Sequence, residues 1–216
     1  MSPRPPRTNR QEIVRAAIAL IDADGIDSFS MRRLASAMGV DPMTLYHHLP
    51  NRAALLDAVV DELWSSIELG EPAPGTEWRK SLAGLAHRLR GVLLEHPRLI
   101  ALVGTRPAVT PHMLTTIDRV LGWLDRDGLA PAEALRLLDC VTGYVVGKVQ
   151  GELRRPVGGP GVSVDTALEA ADGTSHPHLT RALATGYGWS PDEEFARGLD
   201  AMLGGWGGGP VPPERR

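Results

Sequence analysis

Residue types that can do chemistry are plentiful in this chain, but few fall into spacings that would let them act together. The seven histidines are His47, His48, His87, His96, His112, His176 and His178, and no set of them has the spacing of zinc ligands. Neither a G-x-S-x-G nor an H-E-x-x-H run occurs, and the GGPG at 158–161 follows no strand, so it reads as loop punctuation. Cys140 lies within an apolar helical pattern, where a small buried hydrophobe is expected. The sequence therefore points to no catalytic residue, no metal and no cofactor. One stretch does ask for a function: residues 28–60, SFSMRRLASAMGVDPMTLYHHLPNRAALLDAVV. Met38-Gly39-Val40-Asp41-Pro42 breaks two apolar-patterned runs that resume at once. A helix that only packs gains nothing from Gly and Pro three residues apart. A helix that must turn sharply and present its neighbour outward gains a great deal.

The elements that would hold this stretch can be read from caps and periodicity. Apolar positions recur at three and four, and no segment reads as strand, so the expected class is all-α. Thr8 or Asn9 starts a first helix in a capping box with Gln11 or Glu12. Val14, Ala17, Ile18 and Ile21 form its inner face and Gly25 its end. Ser30 caps a short second helix with Leu34, Ala35 and Met38 inward. Gly39 supplies a positive φ. Asp41 caps a third helix with Pro42 at its first position. Asn51 caps a fourth, through Leu55, Leu56, Val59, Val60, Leu63 and Ile67. Two short helices joined by a glycine turn make a helix-turn-helix, the second being the recognition helix.

The expected organisation is a flexible basic arm (1–8), a DNA-binding unit (9–52), a connecting helix (51–69), a linker at 70–78 and a second domain (77–206). Helices in the second domain are expected near 77–95, 97–104, 111–127, 131–153, 177–187 and 191–206, with a Gly/Pro loop at 154–177. Residues 207–216 read as a disordered tail. The net charge of −3 argues against a nucleic-acid partner only until its distribution is considered. Residues 1–52 hold seven Arg against five Asp/Glu, and DNA binding needs a positive face rather than a positive whole. A single cysteine fits a reducing cytoplasm, and no run of apolar residues is long enough to span a membrane.

Residues 9–67 resemble the DNA-binding domain of the TetR family of transcriptional repressors. LASAMGVDPMTLYHHLPNRAALLDAV carries the likeness through its Gly-Val turn, its Thr-Leu-Tyr-x-His and its Asn-Arg-x-x-Leu. Trp78, GTRP (104–107), Trp123-Leu124 before Gly128-Leu129 and the two closing helices resemble the ligand-binding domain of the tetracycline repressor subgroup. The resemblance implies DNA contacts from Ser30, Met31, Arg32, Pro42, Met43, Thr44, Tyr46, His48 and Arg52. Arg32 would read a guanine, Pro42 and Met43 would approach base edges, and Thr44, Tyr46, His48 and Arg52 would grip the backbone or a thymine methyl.

In the subgroup a His and a Glu hold a drug–magnesium complex. Their positions here are Leu102 and about Gly151, so the implied pocket is apolar and binds no metal. Its expected lining is Leu85, Leu89, Leu102, Thr105, Ile117, Val120, Leu121 and Val145. Leu135, Leu138, Val149, Phe195, Leu199, Met202, Leu203 and Trp206 are expected to pack a homodimer around a two-fold axis, with Gly143, Gly147, Gly198 and Gly204 allowing close approach. The implied function is a cytoplasmic repressor on a palindromic operator, released by a small apolar effector. Two alternatives stay open: a helical carrier or enzyme with a vestigial helix-turn-helix, and a DNA-binding architectural protein without an effector.

Overall fold

The computed structural model describes residues 8–73, 75–105, 110–153, 164–185, 188 and 190–206, and among these the regular structure is entirely helical. In chain order the helices are α1 (Arg10–Asp24), α2 (Met31–Met38), α3 (Pro42–His48), α4 (Arg52–Ser65), α5 (Trp78–Glu95), α6 (Ile100–Thr105), α7 (Pro111–Arg126), α8 (Pro131–Leu153), α9 (Val164–Glu169), α10 (Pro177–Ala184) and α11 (Pro191–Gly205). The basic arm up to residue 7, Arg106 and Pro107 of the GTRP run, residues 154–163 and the tail at 207–216 lie outside the described residues. Among the described residues no helix is long and apolar enough to cross a membrane.

Local chemistry sets the helix ends. Asn9 and Glu12 exchange both capping hydrogen bonds, at 2.9 and 3.1 Å, and Gly25 closes α1 at φ 86°. Ser30 accepts from the Arg33 amide and Asp41 from the Met43 amide, with Pro42 at the first position of α3. Gly39 sits between them in the left-handed region at φ 66°, its amide closing α2 onto Ala35 and Ser36. The Gly/Pro-rich stretch expected as loop contains α9, and α6 starts three residues later than the pattern near 97 suggests. Pro97 and Arg98 form part of a turn in which the amide of Leu99 bonds the carbonyl of His96.

Two buried clusters organise the chain. The first joins α1–α4 through Ile13, Val14, Ala17, Ile21, Leu34, Leu45, Leu55 and Val59, and it also takes in Leu99 just before α6 and Leu102 within it. Ile18, expected on the inner face of α1, is only partly buried, and Ile13 takes the central place. The second cluster is built by α5, α7, α8 and α11 around Leu82, Leu93, Leu124, Leu137, Val145 and Phe195. Polar ties fix this frame. Arg90 on α5 bonds both carboxylate oxygens of Glu152 on α8, at 3.1 and 3.0 Å, and pairs with Asp192 on α11 at 2.6 Å. Burial works against the Arg90 charge, but the hydrogen bonds to Glu152 and Asp192 outweigh it and hold the guanidinium more firmly protonated. The Tyr144 hydroxyl donates to the Phe195 carbonyl at 2.9 Å.

These contacts correct several expectations about assembly. Val149, Phe195, Leu199 and Leu203 are 0 to 2% exposed inside the chain's own core, so their apolar area is not left over for a partner. The reason is α5, whose Leu82, Ala86, Leu89 and Leu93 cover that stripe. Gly198 does allow a close approach, but to Tyr144 of the same chain: an added Cβ would stand 2.2 Å from its hydroxyl. At Gly143, Gly147 and Gly204 an added Cβ would meet nothing within 4 Å. Leu135 is exposed, and Leu138, Met202 and Trp206 are partly buried. Cys140, expected to be buried, is exposed on α8. The linker expected at 70–78 is tied to α7 at Glu71. Glu71 accepts from Arg119 and from the Trp123 indole, each at 2.9 Å, and the Arg119 bond holds its carboxyl below the ordinary carboxylate range.

Gly39 makes the turn testable in isolation. Since a Cβ there would touch nothing within 4 Å, Gly39→Ala should cost only backbone strain, about 1–2 kcal/mol in urea unfolding, with Gly39→Asn costing less.

Candidate nucleic-acid interface and ligand cavity

The exposed surface built by α2, α3 and the start of α4 gathers most of the candidate DNA contacts. Arg32 and Arg33 are adjacent in sequence but differ in employment. Arg33 donates to Asp24 at 2.7 Å and to the Ser28 carbonyl at 2.9 Å, so its charge holds the end of α1 against α2. Arg32 is exposed and pairs with no described residue, which leaves its five donors to solvent. On α3, Met43 is 61% and Tyr46 41% exposed, unusual values for large apolar side chains, and His47 and His48 are exposed beside them. Leu45 and Leu49 point the other way, into the core. Seven residues are too few for a stable isolated helix, so these two leucines and the Asp41 cap must hold α3 in place.

Arg52 opens α4 next to the capping Asn51. Its guanidinium lies 5.8 Å from the centre of the Phe29 ring and donates to the Ile26 carbonyl at 3.4 Å, so a fixed cation stands at a helix N-terminus. Pro42 and Thr44 are partly buried, as is Ser30, whose hydroxyl is occupied in capping α2. Met31 is a correction. It is 6% exposed and belongs to the first core, so its side chain is packed inside the chain and not presented to DNA.

The second domain carries a cavity with two adjoining chambers, the outer one open to solvent. The inner one, about 40 Å³, is walled by Leu82, Leu85, Ala86 and Leu89 of α5 together with Ile117, Val120 and Val141. The outer one, about 870 Å³, lies between α6, α7 and α8 and includes Thr105, Leu135, Asp139 and Gln150. Trp64, Met113, Ile117, Leu138 and Thr142 line both chambers. Such an apolar hollow with a few polar groups at one side is the usual form of a small-molecule site. Of the residues expected to line a ligand pocket, Leu85, Leu89, Thr105, Ile117 and Val120 border one or both chambers. Leu102, Leu121 and Val145 do not line either chamber. Leu102 turns instead into the DNA-binding core, Val145 is sealed in the second core, and Leu121 is partly buried against that second core. Leu135 and Leu138, expected at a dimer interface, are cavity walls. Sequence gave no sign of Trp64, Met113 or Thr142 as lining, since periodicity assigns a face to a helix but not the gap that the face borders.

Helix α6 stands between the two sites. Ala101, Val103, Gly104 and Thr105 border the outer chamber, while Leu102, with Leu99 just before the helix, is buried among α1 and α4. The turn before α6 grips the end of α1: His96 Nδ1 lies 2.7 Å from Asp22 Oδ2, and Arg98 donates to the Ala23 carbonyl. Trp64 at the end of α4 touches both cores and both chambers.

Comparison with known proteins agrees with this layout. Residues 13–59 match the model for bacterial regulatory proteins of the tetR family, and residues 71–207 match the tetracyclin repressor-like C-terminal domain. An HTH-type transcriptional regulator of Saccharopolyspora erythraea is 33% identical over 147 residues, covering 68% of this chain and 62% of its own length, so the chain spans about three-fifths of that relative. The class A tetracycline repressor from transposon 1721 of Escherichia coli is 31% identical over 199 residues, covering 89% of this chain and 88% of its own. Among solved structures, Streptomyces coelicolor ActR in complex with actinorhodin superposes with a TM-score of 0.80 at 29% identity, covering 92% of this chain and 96% of that one. With a family model matched on each side of the linker and likeness running through both cores, this chain belongs to the TetR family of bacterial transcriptional regulators.

Proposed function

We propose that the protein is a sequence-specific repressor that binds a palindromic operator as a homodimer and is released when a small, largely apolar molecule enters the cavity. The observation that carries this reading is the position of α6, which borders the cavity with one face and is anchored in the DNA-binding core by the other. A molecule that occupies the outer chamber must press on or reorder Val103, Gly104 and Thr105. Leu99, Leu102 and the His96–Asp22 contact then pass that change to α1 and α4. A ligand shifts such an equilibrium only by its difference in affinity for the two arrangements, and a cavity bounded by the moving element supplies that difference. The actinorhodin complex of the related ActR supports a small-molecule occupant here.

On DNA, α3 enters the major groove and presents Met43 and Tyr46, with His48 and Thr44 beside them. Arg32 reaches a guanine edge, Arg52 holds a phosphate at the N-terminus of α4, and Pro42 and Ser30 approach the groove wall. A recognition helix this short reads few base pairs, so specificity rests on two copies reading two half-sites. The dimer forms across the open faces of α8 and α11, where Cys140, Ala201 and Gly204 leave room for close helix packing and Met202 and Trp206 flank it. The reading assigns the chain no catalysis, no metal and no membrane partner, and it places the protein in the cytoplasm with its operator.

Two experiments test this. In anisotropy titrations with DNA from upstream of its own gene, Arg32→Ala should weaken specific binding by about 1–3 kcal/mol and spare non-specific DNA. Arg52→Ala should weaken all sequences alike and lower the salt dependence by about one phosphate contact. A reversed pattern would mean that the two roles are exchanged. Gly204→Arg adds a side chain where nothing inside the chain opposes it. It should keep full helical content yet sediment as a monomer with weak operator binding; an unchanged dimer would move the interface elsewhere.

A further inference from the structure

The indole Nε1 of Trp64 is buried and has no hydrogen-bond partner among the described residues. Trp64 stands in the last turn of α4 and borders both chambers of the cavity. A buried donor left unmade costs free energy, so nearly all in folded proteins find an acceptor. The other polar groups of the wall make weaker demands. Thr116 borders the inner chamber and Thr142 both. A hydroxyl donates or accepts as its rotor turns, and that of Thr142 already donates to the Leu138 carbonyl at 2.8 Å. The Gln150 amide, at the outer chamber, both donates and accepts. Asp139 lies there too, but it is exposed on α8, where solvent serves its carboxylate. Of the wall residues described, Trp64 alone has a buried polar side-chain atom without a partner, and an indole N–H can only donate.

The group that meets this donor must be an acceptor, and the surroundings decide its charge. Leu82, Leu85, Leu89, Ile117 and Val120 line the inner chamber, and no Lys, Arg or His is among the described lining of either chamber. A carboxylate brought there would shed hydration with no cation to replace it. An ammonium group has no lone pair to offer the indole. A neutral oxygen needs only the one hydrogen bond. Resting on the proposal that this cavity holds the effector, we infer that the effector is an uncharged, largely apolar carbonyl compound. Its carbonyl oxygen accepts from the Trp64 indole N–H, and the hydrocarbon beside it enters the inner chamber. Nε1 is closed off from solvent here, so the ligand reaches it by parting Trp64 from its neighbours, and the bond formed offsets that movement.

Three molecules of one skeleton test this on the full chain at neutral pH: tetralone, a bicyclic ketone; tetralin, which lacks the oxygen; and tetralin carboxylate. Calorimetric titration of the wild type and of Trp64→Phe gives the ratio of ketone to hydrocarbon affinity, in which their unequal hydrophobicity cancels between the two proteins. That ratio should fall about fivefold in Trp64→Phe, the scale of one neutral hydrogen bond. Loss of ring packing alone would weaken both ligands and leave the ratio as it was. The carboxylate should bind weakest to the wild type. A second readout uses the wild type only: tetralone should move the assigned Trp64 indole N–H signal downfield in NMR spectra, and tetralin should not. An unchanged ratio, no downfield movement with tetralone, carboxylate binding as tight as ketone binding, or no binding of tetralone would overturn the inference. Operator binding, measured without ligand on the same preparations, reports on the regulator reading itself, so the two can fail independently.

Discussion

The anchoring of Leu99 and Leu102 in the first core is the contact on which the rest of the molecule depends. Both side chains belong by sequence to the second domain, yet each is at most 6% exposed among α1 and α4. Burying two leucines in this way is worth roughly 3–6 kcal/mol in transfer terms, enough to stop α6 from drifting free of the DNA-binding unit. Their burial forces the opposite side of α6 toward α7 and α8, and there Ala101, Val103, Gly104 and Thr105 become a cavity wall. Small residues on that wall leave the volume open. The His96–Asp22 contact and the Arg98 bond to the Ala23 carbonyl hold the preceding turn in register, so α1 and α6 behave as one piece.

Stiffness on the other side of the cavity gives this joint something to move against. Arg90 draws α5, α8 and α11 together through Glu152 and Asp192, and Lys148 pairs with Glu194 at 3.1 Å. Glu71 fixes the linker to α7 through Arg119 and Trp123. The frame is thus tied by charged groups on three helices, whereas α6 is six residues long and is held by Leu102 in the first core and Ile100 in the second. When something fills the outer chamber, the short element should yield before the frame does. On the proposed reading, such a displacement would reach the exposed surface of α3 in steps, since α4 packs on α1, α1 on α2 and α2 on α3.

Much of the first third was legible in the sequence because its signals are local. A capping box, a glycine at φ 66° and a proline at a helix start each act within a few residues, and the structure repeats them with little change. The misreadings share a different cause. Met31, Leu102, Val145 and Phe195 were all rightly seen as apolar residues on helices, but which neighbour covers each one depends on contacts distant in sequence. Leu102 goes to the first core rather than the cavity, and Phe195 to α5 rather than a second subunit. Cys140 went wrong in the same way: a residue within an apolar run faces solvent when the helix has one side without a neighbour in the chain.

The link between cavity and reading surface can be tested without knowing the effector, by filling the cavity from its own wall. Gly104 borders the outer chamber, and a Cβ added there would meet Val146 at an ordinary 3.7 Å, so Gly104→Phe can extend into the hollow without a backbone clash. Operator affinity of this variant, by fluorescence anisotropy beside the wild type, is the deciding measurement. The expected result is a fall of about tenfold or more with helical content unchanged, equivalent to roughly 1.4 kcal/mol or more passed from cavity to DNA surface. Full operator affinity in a folded Gly104→Phe protein would contradict the coupling through α6.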